Sequence, residues 1–165
     1  MTLSQWAPLV SYPGEDYQAR VRECGQPLVE FAREIDGLTV ERLQELYTQT
    51  FDWNPDTTLD IGWHLFGEDY NRGDFLVKLR GALRAHGVAE SQELPDHLSH
   101  VLPLMDRMPE GDRAEFAAKY VLPATGKLRD SLAKAVSPFL PMMIALREQV
   151  ATLVPETAVA GADHE

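Results

Sequence analysis

The sequence predicts an all-α fold, a single-domain multi-helix bundle. Three observations carry this. Apolar residues recur three and four positions apart over most of the chain. No stretch alternates apolar and polar residues between turn signals. The 11 prolines and 11 glycines cut the periodic runs into short pieces. At 165 residues and 44% hydrophobic content the chain suits one domain with its own core. The expected helical domain spans 1–154, and 155–165, small, polar and acidic, reads as a disordered tail.

In chain order, Leu3, Trp6, Leu9 and Val10 mark a first helical segment that ends at Tyr12-Pro13-Gly14. A polar-faced helix is expected over 15–24, broken by Gly25-Gln26-Pro27. Leu28, Phe31, Ala32 and Ile35 form the next stripe, which Gly37 stops. Thr39 suits an N-cap, with Glu41 in the first turn, for a helix burying Val40, Leu43, Leu46, Tyr47 and Phe51. Asn54-Pro55-Asp56 reads as a turn, with Asp56 capping the helix beyond. That helix carries Leu59, Trp63 and Phe66 on one side, with Ile61 and Leu65 off the stripe, as in the middle of a bundle. After 67–73, Phe75, Leu76, Leu79, Ala82, Leu83 and His86 share the face of a long helix, and Gly87 fits its C′ position. An acidic linker leads to a helix with Pro95 in its first turn and Leu98, Val101, Leu102 and Met105 as its stripe, which Pro103 should bend or interrupt. A helix with Phe116, Tyr120 and Val121 should end at Pro123, and Leu128, Leu132, Ala135 and Val136 mark another. Ser137-Pro138 reads as the start of the last helix, which buries Phe139, Met142, Met143, Leu146, Val150 and Leu153.

The formal net charge is -11. Such a chain is repelled by phosphate and anionic lipid, so neither nucleic acid nor membrane insertion is expected, and a cationic peptide is the better electrostatic match. The single cysteine, Cys24, forms no intrachain disulfide and fits a reducing compartment. Within a helical pattern it reads as a small packed residue. Met1 to Trp6 lack a basic stretch followed by an apolar run, and no segment reaches the ~20 apolar residues of a membrane helix. The expected location is the cytoplasm.

Phosphate-cradling glycine loops, G-x-S-x-G elbows and CxxC pairs are absent from the sequence. His97 and His100 lie three apart with Asp96 adjoining, a spacing that can seat a metal, so a metal-dependent enzyme built on Asp96, His97 and His100 is one alternative. Glu68 and Asp69 are adjacent and would diverge on a helix, unlike an acid–base dyad. A binding role fits better. Trp63, Phe66 and Tyr70 offer apolar contact; Glu68, Asp69, Glu93 and Asp96 offer negative charge; His64 and His97 can donate or accept. A cationic amphipathic peptide lays its apolar face in such a groove. The competing explanation makes Trp63 and Phe66 ordinary core and Glu68 and Asp69 a solvated loop.

Three segments carry a further signal: Leu46-Tyr47-Thr48-Gln49-Thr50-Phe51-Asp52, His64-Leu65-Phe66-Gly67-Glu68-Asp69-Tyr70-Asn71-Arg72-Gly73, and Glu93-Leu94-Pro95-Asp96-His97-Leu98. In this order and spacing the chain resembles the NarJ-type assembly chaperones of respiratory nitrate reductase, within the TorD/DmsD superfamily of redox-enzyme maturation chaperones. The resemblance implies a TorD-like all-α fold and no enzymatic activity. It implies a cytoplasmic protein that binds the N-terminal peptide of the catalytic alpha subunit of nitrate reductase. The molybdenum guanine dinucleotide cofactor is then inserted into that client before it docks at the membrane, and the chaperone itself keeps none. The His-Leu-Phe-Gly element falls on His64 to Gly67 and the Pro-Asp-His element on Pro95 to His97, and in the superfamily both border the peptide groove. The candidate client-binding residues are therefore Tyr47, His64, Phe66, Glu68, Asp69, Tyr70, Arg72, Asp96 and His97. Asp60-Ile61-Gly62-Trp63 stands where more tyrosine and leucine are usual, and Asn71 where another basic residue would fit. These departures leave open a selenate, chlorate or dimethyl sulfoxide enzyme as the client.

Overall fold

A short 3-10 segment, Ser4–Val10, opens the chain and is followed by helices α1 (Tyr17–Glu23), α2 (Val29–Ile35), α3 (Val40–Tyr47), α4 (Ile61–Phe66), α5 (Asn71–Ala85), α6 (Leu98–Asp106), α7 (Glu110–Phe116), α8 (Leu122–Lys134) and α9 (Leu140–Ala151). The computed structural model describes residues 1–156, so most of the expected tail, 157–165, lies outside the described residues. Among the described residues the only β pairing is an isolated antiparallel bridge between Asp60 and His97.

Most helices are too short to persist alone, so packing must supply their stability. The N-terminal segment lies on α6, α2 packs against α1 and α9, α8 against α4 and α9, and α5 against α4 and α6. One continuous core runs from Leu3 to Val154. Its centre is a chain of rings: Tyr17–Phe31 at 6.3 Å, Phe31–Phe139 at 5.9 Å, Phe139–Phe51 at 4.8 Å and Phe51–Tyr47 at 5.0 Å. Each such pair contributes about 0.5–1.5 kcal/mol beyond burial of its area. Polar edges of buried rings find partners: Trp6 Nε1 donates to Gln149 Oε1 (2.8 Å), and the Tyr17 hydroxyl donates to the Leu9 carbonyl (2.7 Å).

Several local signals act as the sequence suggests. Thr39 Oγ1 accepts from the Arg42 N–H at 3.1 Å and caps α3. At the end of α5, Gly87 adopts φ 69°, while Val88 N–H bonds to the Leu83 carbonyl and Gly87 N–H to the Arg84 carbonyl, a Schellman closure. Other expectations need correction. Asp56 does not cap α4: Asn54 accepts from the Asp56 N–H and closes a 3-10 turn over Pro55–Thr57, and α4 begins only at Ile61. Pro95 lies in a turn before α6, not in its first turn, because the His97 N–H closes on the Leu94 carbonyl. Pro103 stays inside a continuous α6. Pro123 does not end its helix. The chain runs helically from α7 through a wide π turn, Ala117–Val121, into α8, with Pro123 in the first turn of α8. Widening the preceding turn relieves the clash a proline ring makes with the carbonyl four residues back. α9 starts at Leu140, later than Ser137-Pro138 suggests. Ser137 Oγ instead accepts from the Phe139 N–H, and Val136 takes a positive φ of 53°.

Candidate functional site

The first turn of α4 has no cap from its own N-terminal residue, Asp60. Its donors are met by the 94–98 segment. Ile61 N–H bonds to the Asp96 carbonyl (3.0 Å), Gly62 N–H to Asp96 Oδ2 (3.0 Å), and Leu98 N–H returns to the Leu59 carbonyl (3.0 Å). Asp96 thus caps a helix 34 residues before it. The fit requires glycine at 62, since a Cβ there would strike Asp96 Oδ2 and come within 3.1 Å of Phe75 Cδ2.

Arg72, from the first turn of α5, completes this node. Its Nε and Nη2 lie 3.3 and 3.2 Å from Asp96 Oδ2, and Nη2 lies 3.4 Å from Asp60 Oδ2. Its guanidinium carbon sits 5.8 Å from the centre of the Trp63 ring. Two carboxylates therefore share one guanidinium. Asp96 is completely buried, and one oxygen of each carboxylate, Asp60 Oδ1 and Asp96 Oδ1, has no partner among the described residues. Burial and then the Asp96 charge push Asp60 up to about 6, against the pull of Arg72. Burial also raises Asp96 despite Arg72 and the Gly62 N–H.

Two clefts open beside this node. The first, about 210 Å³, is lined by Phe51, Asp52, Pro55, Asp60, Trp63 and Arg72. The second, about 290 Å³, is lined by Tyr12, Ser91, Gln92, Glu93, His97 and Ser99. The Asp60–His97 bridge joins their walls, and Asp52 is near enough to Glu93 for its charge to raise the Glu93 carboxyl further after burial has done so. Tyr12, 57% exposed, stands at the rim of the second cleft. Asp52, Asp60 and Glu93 thus bring three carboxylates to two neighbouring clefts that also hold the Trp63 and Tyr12 rings.

The nine candidate residues fall into distinct surroundings. Asp96 and Arg72 form the node, and His97 lines the second cleft. Tyr47 is core, 2% exposed, its hydroxyl donating to the Val10 carbonyl. His64 is half-buried: Nε2 donates to the Thr58 carbonyl (2.7 Å), burial lowers its pKa, and its own carbonyl accepts from Lys127 Nζ (2.9 Å). Phe66 is half-buried against Phe75 at 5.4 Å. Glu68, Asp69 and Tyr70 form an exposed loop leading into α5, with Tyr70 85% exposed and Asp69 Oδ1 accepting from the Asn71 N–H. Asp52 and Asp60 are the residues that sequence reasoning passed over. No local sequence signal marks Asp60, because that it precedes α4 without capping it is visible only in the folded chain.

The Asp96, His97 and His100 alternative meets a geometric obstacle. His97 Nδ1 accepts from the Ser99 N–H (3.1 Å), so its proton sits on Nε2. His100 Nε2 accepts from the Ser91 N–H (2.8 Å), so its Nδ1–H donates to the Leu94 carbonyl (2.8 Å). Both lone pairs a metal would need are in use. Among the described residues no group of three or more His, Cys, Asp or Glu side chains is arranged to hold a metal ion. Cys24 is half-buried, with its thiol 3.2 Å from the Arg20 carbonyl and its pKa raised by burial, the opposite of an activated nucleophile. No helix among the described residues is long and apolar enough to cross a membrane.

Fold and site together define an all-α bundle with a buried aspartate–arginine node beside two small clefts that carry carboxylates. The chain belongs to the nitrate reductase delta subunit family, whose sequence model matches residues 15–145. It is 27% identical over 140 residues to the nitrate reductase molybdenum cofactor assembly chaperone NarJ of Escherichia coli (strain K12), covering 84% of this chain and 59% of that protein. It is 30% identical over 118 residues to the probable nitrate reductase molybdenum cofactor assembly chaperone NarJ of Bacillus subtilis (strain 168), covering 64% of this chain and 62% of that protein. The chain thus spans about three fifths of the length of these curated relatives.

Proposed function

We propose that this protein is a cytoplasmic assembly chaperone for a nitrate reductase, not an enzyme. In this reading it holds the molybdenum-bearing catalytic alpha subunit by its N-terminal peptide while the molybdenum cofactor is inserted into that subunit. Family membership supports the client class. The observation that carries the binding mode is the pair of neighbouring clefts, read as one acidic trough, with Asp52 and Asp60 beside Trp63 in the first and Glu93 beside Tyr12 in the second. An acidic floor attracts a cationic segment, and aromatic rims bury its apolar side chains. Within this reading Asp96 and Arg72 shape the trough from beneath, while Glu68, Asp69 and Tyr70 supply an outer wall. His64, Phe66 and Tyr47 support it by packing.

Calorimetric titration with a synthetic peptide of the subunit's N-terminus tests the proposal. Binding should weaken as salt is raised, because exposed charge pairs are screened beyond a Debye length of about 10 Å at 0.1 M. Absence of heat at high peptide concentration, together with no co-purification of the subunit from cells, would refute it.

A further inference from the structure

Helix α5 packs inward on α4 and α6 with Phe75, Leu79 and Leu83 buried, and its opposite face is open to solvent. Down that face run Gly73, Val77 and Gly81, four apart, so they share one line along the helix. Val77 is 72% exposed, although valine is a poor helix former and gains nothing from contact with water. Glycine inside a helix costs stability, and neither glycine has a reason for it within the chain: neither takes a positive φ, and a Cβ added at either meets no atom within 4 Å. All three residues lie outside both acidic clefts. The charges on this helix are sorted by sign about Val77. Glu68, Asp69 and Asp74 precede it, and Lys78, Arg80 and Arg84 follow it. Arg72, the one cation in the first half, is turned inward to Asp60 and Asp96. Asp74 and Lys78 are exposed and pair with each other at 3.7 Å, a contact of little worth that either can exchange for another.

We propose that the outer face of α5 is a self-association surface, on which a second copy of this chain packs its own α5 antiparallel. A two-fold axis near Val77 sets the two valines together, and the glycines let the two backbones approach closely. The same axis puts the acidic half of each helix against the basic half of the other, with Asp74 of one copy opposite Lys78 of the second. A parallel pair would set like charges together, so charge selects the antiparallel one. The occupant is a second copy because the face is complementary to itself. With a formal net charge of -11 two copies repel over most of their surfaces, and on this face the repulsion is locally cancelled. The contact is one helix wide, which makes the association weak and dependent on concentration. The inference goes beyond the client reading and does not depend on it.

Sedimentation equilibrium of the full chain tests this. Between about 10 μM and about 1 mM the weight-average mass should climb from one chain toward two, the range that suits so small a contact. Wild type that remains a monomer at about 1 mM overturns the inference. Val77→Asp sets two carboxylates at the axis and should weaken association about tenfold or more, with little change in melting because the site is exposed. A folded Val77→Asp that associates like wild type overturns the inference as well. Two charge reversals give a sharper result. Asp74→Lys and Lys78→Glu each set like charges across the interface, so each alone should stay monomeric. An equimolar mixture of the two should dimerise as wild type does, since every crossing pair is then opposite in sign. A mixture no better than its components, beside a dimerising wild type, overturns the α5 contact. Gly81→Ala should move two readouts in opposite directions. A dilute sample melts higher because alanine favours the helix, and association weakens because the backbones are held apart. A Gly81→Ala chain that associates as tightly as wild type overturns the close approach on which the proposal rests.

Discussion

Two stretches of this chain are written in nearly the same alphabet and meet opposite fates. Glu93 to His97 and Glu68 to Tyr70 each combine carboxylates with an aromatic or imidazole ring beside a proline or glycine. Pro95, Asp96 and His97 are buried, while Glu68, Asp69 and Tyr70 are exposed. What separates them is a partner. Asp96 finds the Gly62 N–H and the Arg72 guanidinium, both distant in sequence, whereas Asp69 meets only the N–H of Asn71 two residues on. The same carboxylate is scaffold where a donor has been prepared for it and solvent-facing contact surface where none has. The first region decides whether α4 is held in place; the second can change with little consequence for the fold.

The contrast is sharpest at Arg72. Arg72→Met leaves Asp96 buried without its cation, and unpairing such a charge costs about 3 kcal/mol, read as a lowered urea midpoint at pH 7. A loss below about 1 kcal/mol would mean that the node is wet and the two regions are alike after all.

Asp60 gives the next effect, of opposite sign. Its folded-state pKa, about 6, lies above the ordinary 3.8, so the folded chain holds this proton more tightly than the unfolded one. The stability that Asp60 contributes is therefore present at low pH and lost as pH rises from about 4 to about 6. Asp60→Asn should raise stability at pH 7 by an amount of order 1–2 kcal/mol and remove that decline. His97, pushed down to about 4, acts in the other direction over an overlapping range, so the difference between variant and wild type, melt by melt, isolates Asp60.

The exposed loop should respond least. Glu68→Gln and Tyr70→Ala are expected to leave stability within about 0.5 kcal/mol of wild type. In the chaperone reading they reduce affinity for a cationic peptide two- to threefold at low salt, with the Glu68→Gln loss vanishing as salt is raised. A large drop in melting temperature for either would place the loop with the node.

What could be read from the sequence follows the same division between near and far partners. Thr39 and Gly87 announce a helix start and a helix end because their partners, Arg42 and Arg84, lie within one turn. The all-α class follows from periodicity alone. Pro123 misled because the wide turn that accommodates it, Ala117–Val121, has no local residue signature. Asp96 drew attention for the right chemistry and the wrong neighbour: nothing within its own segment tells that its donors come from Gly62 and Arg72. Tyr47 carries the resemblance and yet sits in the ring stack, since a sequence motif does not distinguish a residue that touches a ligand from one that positions what does. Asp52 and Asp60 became visible only when a bridge between residues 60 and 97 brought their segments together.

The opening segment has a consequence for how the protein is made. The backbone N–H groups of Leu3 and Ser4 bond to the Asp106 carboxylate, and the Trp6 indole reaches Gln149. Leu3 and Trp6 thus settle only once partners 103 and 143 positions further along the chain are in place, and closing so long a loop is entropically slow. Until those partners are made, Trp6, fully buried in the finished bundle, has no complete core to enter.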